Sequence, residues 1–202
     1  QNVISFVRNL LTGCAFPETL VDDLILAARF HDLGKADSRF QAWLRNGNRM
    51  LAQADSTILA KSEGLSQSRK SRQLARLRSG YPKDGRHELL SVRLLESESK
   101  ILESAHDRDL VLHLIESHHG CCRPFAPVID DTNPVDVSYT IQGNVLKSSS
   151  NTGLERLDSG VPERFWELVR RYGWWGLAYL EAIFRLADHR ASEWEQRSKN
   201  TE

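Results

Sequence analysis

Apolar residues recur at helical spacing along almost the whole chain, and only one stretch breaks into strict alternation. Val21, Leu24, Ile25, Ala28 and Phe30 give a broad apolar face between Leu20 and His31, and Phe40, Trp43 and Leu44 do the same from Ser38 to Leu44. The pattern returns from His87 to about Leu102. It then runs from Asp107 to His118, where Leu110, Val111, Leu114 and Ile115 form the stripe, and resumes over Pro162–Arg171 and from Trp175 to about Glu195. Between Pro124 and Asn151 the alternating Val135, Val137, Tyr139, Ile141, then Gly143-Asn144, predict a small β-hairpin within 134–147. The expected fold is therefore all-α: one domain, a helical bundle with a hairpin insertion.

The 202 residues are long enough to bury a core, and no apolar run approaches the roughly 18 residues of a membrane span. Three cysteines, including the adjacent Cys121 and Cys122, make no disulfide framework, which points to a reducing, cytoplasmic setting. Neighbouring cysteines on one backbone chelate poorly and no second pair exists, so a structural zinc site is rejected. The 27 basic and 27 acidic side chains cancel, but unevenly: from Arg45 to Arg86 ten Lys or Arg stand against three acids. Leu51, Ile58, Leu59, Leu74 and Leu77 permit two helices there, with a mobile middle around Gly64–Ser71. A basic stretch is commonly a solvated face; it is equally an electrostatic track for a polyanionic strand, with Arg69, Lys70, Arg72, Arg76 and Arg78 as its candidates.

Four of the seven histidines fall at helix ends or beside other ligand-type side chains: His31 with Asp32, His87 with Glu88, and the pair His118 and His119 before Gly120. The plain alternative is polar helix capping, with imidazole favoured at a C-terminus. Taken together they suit divalent transition metals, for which neutral imidazole is the commonest nitrogen ligand and a carboxylate such as Asp32 a natural bridge. Two ions about 3.5–4 Å apart activate water and stabilise the leaving oxygen of a phosphodiester. Asp188, in an otherwise apolar helix, either pairs with Arg185 or Arg190 at the surface or, if buried, needs a cation. His106 and His113 read as polar surface, and His189 as an exposed residue or one orienting a ligand. Tyr172-Gly173-Trp174-Trp175-Gly176 suits core packing better than base stacking.

The ordered series His31-Asp32-Leu33-Gly34-Lys35-Ala36 with Phe40-Gln41, Arg86-His87-Glu88, His118-His119-Gly120 and Leu186-Ala187-Asp188-His189-Arg190-Ala191-Ser192 resembles the HD superfamily of metal-dependent phosphohydrolases. More narrowly it resembles the HD nuclease domain of the CRISPR-associated helicase-nuclease of type I interference. The resemblance implies one metal held by His31, Asp32, Asp188 and a first-helix histidine, and a second held by Asp32, His87, His118 and His119. It makes Asp32 and Lys35 catalytic, Lys35 by placing or neutralising the scissile phosphate, and sets Ser192 near the site, where Ser192 and Arg190 are candidates for binding phosphate or for orienting the ligands. No histidine precedes His31, so the first-helix ligand is expected upstream of Gln1 in a longer protein.

Nitrogen-rich ligands suit manganese, iron, cobalt, nickel or zinc better than magnesium. The implied activity is endo- or exonucleolytic hydrolysis of single-stranded DNA, the strand displaced by an RNA-guided surveillance complex. The implied partner is an ATP-dependent helicase domain or subunit, since these residues hold no Gly-x-x-x-x-Gly-Lys-Ser/Thr loop. No membrane role is expected. The alternatives are an HD phosphohydrolase of nucleotides or cyclic dinucleotides, and an inactive docking module.

Overall fold

The computed structural model describes residues 2–55, 57–62 and 68–199. All regular structure in them is helical apart from one two-stranded antiparallel sheet. Among the described residues no helix is long and apolar enough to cross a membrane. The chain forms two compact units, one of residues 1–32, 99–127 and 154–202, the other of residues 33–98 and 128–153.

In the first unit, α1 (Asn2–Leu11) packs on α2 (Glu18–Phe30) and on the last helix of the chain, while α2 packs on the helix that ends at the histidine pair. Val7, Leu24, Ala27, Leu110, Val111, Ile115, Leu168 and Phe184 are fully buried between them. Such burial contributes about 1.5–3 kcal/mol for each large aliphatic or aromatic side chain, which holds the helices whose ends carry the polar motifs.

The second unit begins with a single 3-10 turn (Leu33–Ala36) and α3 (Ser38–Leu44), whose N-cap Asp37 accepts from the Arg39 amide. It continues through α4 (Arg49–Ala54), α5 (Arg69–Ser79) and α6 (His87–Glu96). Residues 64–67 of the stretch expected to be mobile lie outside the described residues, whereas Arg69–Ser71 are helical, capped by the Ser68 hydroxyl on the Ser71 amide. Gly80, with φ of 77°, ends α5 in the left-handed conformation that favours glycine. The helix expected to run to Leu102 breaks after Glu96; a separate short helix, α7 (Ser99–Leu102), belongs to the first unit with α8 (Arg108–Ser117).

The hairpin is present but lies two residues further along than the expected 134–147: β1 (Asp136–Ile141) pairs with β2 (Asn144–Ser149). Its turn is Gln142-Gly143 rather than Gly143-Asn144. Both residues have positive φ, 51° and 81°, as a tight two-residue hairpin turn that matches strand twist requires. Leu146 is fully buried in contact between β2 and α6, and Arg39 clamps the approach to the hairpin. The buried Arg39 guanidinium donates to both Asp131 oxygens (3.0 and 2.9 Å), to the Asn133 carbonyl (2.9 Å) and to Asp37 (2.9 Å).

The last helix, α9 (Val161–Lys199), is continuous except at Gly173, where φ 72° and ψ 163° leave the helical region, so the two helical segments read from the sequence meet at a kink. The aromatic run at that kink is not core. Trp175 is 88% exposed and Trp174 59%, the latter edge-on to Trp166 (5.5 Å between centroids).

His113 is also corrected, from surface to full burial. Its Nε2–H donates to Glu181 at 2.6 Å, and Nδ1 lies 3.6 Å from Glu116. Arg123 and Arg164 balance those carboxylates at 3.0 and 2.6 Å. Burial alone would push the His113 pKa down; the bonds to Glu116 and Glu181 and their charges outweigh it and hold it above the ordinary value.

A raised folded-state pKa means that the His113 contribution is complete below the unfolded value of about 6.5 and is lost as pH rises through the folded value. With chelator present, His113→Gln is therefore expected to lower the urea-unfolding free energy by about 3–5 kcal/mol at about pH 6, the cost of breaking a buried pair, and by less toward about pH 9. A gap that stays constant or widens with pH would remove the charged pair from the account of the core.

Candidate metal centre

Two helices of the first unit end in histidine. His31 is the C-cap of α2 and His118 the C-cap of α8, both still in right-handed helical geometry. A helix terminus leaves its last carbonyls without intrahelical partners, and here the imidazoles supply them. A carbonyl can only accept, so Nδ1–H of His31 donates to Ala28 (2.9 Å) and Nδ1–H of His118 to Ile115 (2.6 Å). In the neutral ring that tautomer makes Nε2 the basic, ligating nitrogen, with its direction fixed by the backbone.

Both rings stand over the buried Phe184 of α9, at 5.9 and 6.4 Å between centroids, and edge-to-face on each other at 5.1 Å. Asp188, one helical turn beyond Phe184, brings its carboxylate within 3.6 Å of His31 Nε2. Asp32 brings its own within 3.4 Å. One ligand atom each from His31, Asp32 and His118 lies within 4.8 Å of the others. Asp188 does not take the surface pairing with Arg185 or Arg190; its side chain is 18% exposed and faces His31.

Two carboxylates and two imidazoles on partly buried ground attract positive charge. Burial would depress the His31 pKa, but the Asp32 charge and the bond to Asp188 carry it above the ordinary value. Burial would raise that of Asp188, but His31 holds it below the usual carboxylate range. The donor set, imidazole nitrogen with carboxylate oxygen, fits a divalent transition ion.

The other expected residues are placed as follows. His119 is exposed, its ring 4.0 Å from that of His118 between centroids. Arg190 lies on the solvent side of α9, 3.6 Å from Glu193, and Ser192 is half-buried on the same helix. His87 and Lys35 belong to the second unit. There His87 opens α6 with its ring 5.4 Å from that of Phe40, and Lys35 Nζ is 3.4 Å from the Ala60 carbonyl.

Of the basic candidates, Arg69, Lys70, Arg72 and Arg78 are exposed. Arg76 is held otherwise: it stacks over Trp43 (5.0 Å) and Tyr81 (5.8 Å) and donates to the Pro82 carbonyl. Arg45 is buried on Gln41, Asp55 and Thr57, so part of the local charge excess serves the fold. A surface cavity of about 510 Å³ lined by Pro17, Leu20, Asp23, His106, Arg171 and Tyr172 contains none of the expected ligands; its buried Asp23 accepts from the amides of His106 and Asp107 ahead of α8.

Ser91 is a residue that the sequence did not single out. It is fully buried on α6, bonded both to the Gly34 amide and to the His87 carbonyl, and a serine inside an apolar helix carries no signal of its own.

No curated protein and no solved structure matches the chain. The family model described as "Cas3, HD domain" matches residues 6–169, a span that includes His31, Asp32, Lys35, His87, His118 and His119 and stops before Asp188. Since that match covers most of the chain and the paired helix ends at His31 and His118 lie inside it, the chain belongs to the Cas3 HD-domain family, CRISPR-associated metal-dependent phosphohydrolases of the nuclease type.

Proposed function

We propose that the protein hydrolyses the phosphodiesters of single-stranded DNA with two divalent transition-metal ions, manganese, iron, cobalt, nickel or zinc in preference to magnesium. The observation that carries this reading is the convergence of His31, Asp32, His118 and Asp188 at the ends of α2 and α8 and on α9. Asp32, with two oxygens, would serve as a ligand to both ions. His31 and Asp188 would contribute to one set, and His87, His118 and His119 to the other. When bound, such ions lower the pKa of water and neutralise charge on phosphate oxygens.

The protein's own groups do the positioning. Backbone carbonyls fix the imidazole tautomers, Phe184 excludes water beneath the rings, and Asp188 anchors His31. Lys35 places a phosphate oxygen, with Ser192 and Arg190 binding phosphate or orienting the groups that do. The exposed Arg69, Lys70, Arg72 and Arg78 of α5 guide the strand. In this reading the substrate is the strand displaced in type I CRISPR interference, opened by an RNA-guided surveillance complex and fed by an ATP-dependent helicase domain or subunit.

Asp32→Ala is expected to slow manganese-dependent loss of circular single-stranded DNA by at least about 100-fold while leaving the circular-dichroism spectrum unchanged. Cleavage near the parent rate, in preparations cleared of contaminating nuclease, would end the two-metal account. Faster turnover of a nucleotide or cyclic-dinucleotide panel than of the DNA would move the substrate to small phosphoesters.

Replacing Arg69, Lys70, Arg72 and Arg78 together by Gln should weaken binding of a single-stranded oligonucleotide and flatten its salt dependence, by about 0.7 in log–log slope for each lost phosphate contact. An unchanged slope, read by fluorescence anisotropy, would return α5 to an ordinary solvated surface.

A further inference from the structure

The turn that Asp32 leads into lies hard against the start of α6, and glycine is what allows it. A Cβ on Gly34 would stand 2.0 Å from the His87 carbonyl oxygen, 2.8 Å from its carbon and 3.0 Å from the Leu90 Cβ. Backbone has nowhere to move in such a contact, so any side chain at position 34 forces the turn and the helix apart.

A single buried hydroxyl bridges the two backbones at that point. Ser91 Oγ accepts from the Gly34 amide at 2.8 Å and donates to the His87 carbonyl at 2.9 Å, one helical turn back. Ser91 is 0% exposed. An amide and a carbonyl in such surroundings lose more when a partner is removed than they gain when one is formed. Back-bonding to the carbonyl four residues earlier also slightly disfavours a helix, so local helix stability does not account for serine here.

We propose that Ser91 is a positioning residue for the metal centre. Its hydroxyl pins the turn that follows His31-Asp32 to the residue that opens α6, His87, and so steadies the backbone from which the His87 ring projects. The inference rests on the reading of His87 and Asp32 as ligands given under the proposed function. Ser91 touches neither metal nor substrate; it acts through Gly34 and the His87 backbone. Such supporting groups change metal affinity about 10–100-fold when removed.

The test is manganese titration of the whole protein by isothermal calorimetry, beside manganese-dependent DNA cleavage. Ser91→Ala is expected to weaken manganese binding at least about 10-fold, to lower cleavage at limiting manganese and to recover most of it at saturation. Ser91→Thr, which keeps the hydroxyl, is expected to regain most of the lost affinity; a purely packing role would not distinguish the two variants in this order.

Parent affinity in Ser91→Ala, together with lost affinity in Asp32→Ala, overturns the positioning role alone. Parent affinity in both overturns the two-metal reading beneath it. A third measurement does not depend on the variants folding: in the parent protein, saturating zinc should slow hydrogen–deuterium exchange in the peptide containing Gly34, because a turn coupled to the site is stabilised when the site fills. Exchange there that is indifferent to zinc overturns the proposal.

Discussion

Two bonds from imidazole to backbone, His31 to Ala28 and His118 to Ile115, are the constraint on which the centre is built. Each does two jobs at a helix end. It satisfies a carbonyl that the helix leaves open, and it spends the Nδ1 proton, so that the other ring nitrogen is basic and aimed. The rings could not hold this direction if the helices frayed, and the helices end cleanly because the rings cap them. Phe184 and Asp188, a turn apart on α9, then supply an apolar floor and a counter-charge. Stability of the first unit and geometry of the site are in this sense one property.

A second group of charges lies inside the same unit. His113, Glu116, Glu181, Arg123 and Arg164 exchange bonds where an all-apolar contact between α8 and α9 would also pack. Buried ion pairs seldom add stability over such a contact, but they penalise any register in which one member loses its partner. Glu116 is two residues before His118 and Glu181 is seven before Asp188, so the register these charges specify is that of the helices carrying the ligands.

What the sequence made legible follows from period and punctuation. The helix over Ser38–Leu44, the break near Gly173 and the polar residues closing α2 and α8 were all visible, because a helix end and a glycine have local causes. The ligand types were visible for the same reason. His113 was not: it sits among apolar residues of α8 at a position that reads as the polar edge, and its burial depends on Glu181 of α9 and Glu116 of its own helix, carboxylates that Arg123 and Arg164 balance in turn. Trp174 and Trp175 failed in the opposite direction, since size and hydrophobicity predict burial while the kink turns both outward. Ser91 could not be found at all, because its importance lies in a close approach between segments 57 residues apart. Net neutrality also misleads in both directions: it conceals the basic segment, and that segment in turn conceals arginines already bound within the fold.

The Arg39 clamp changes what the hairpin is. An insertion between two helices invites trimming by anyone who wants a minimal domain. Yet Asp131 and Asn133, on the strand-ward approach, supply three of the acceptors around a guanidinium that is itself buried, and Ser150 on the far side donates to that same Asp131. Excising the insertion would strand a cation in the interior with Asp37 alone, so a shortened version of this domain would need an uncharged residue at position 39 in the same step.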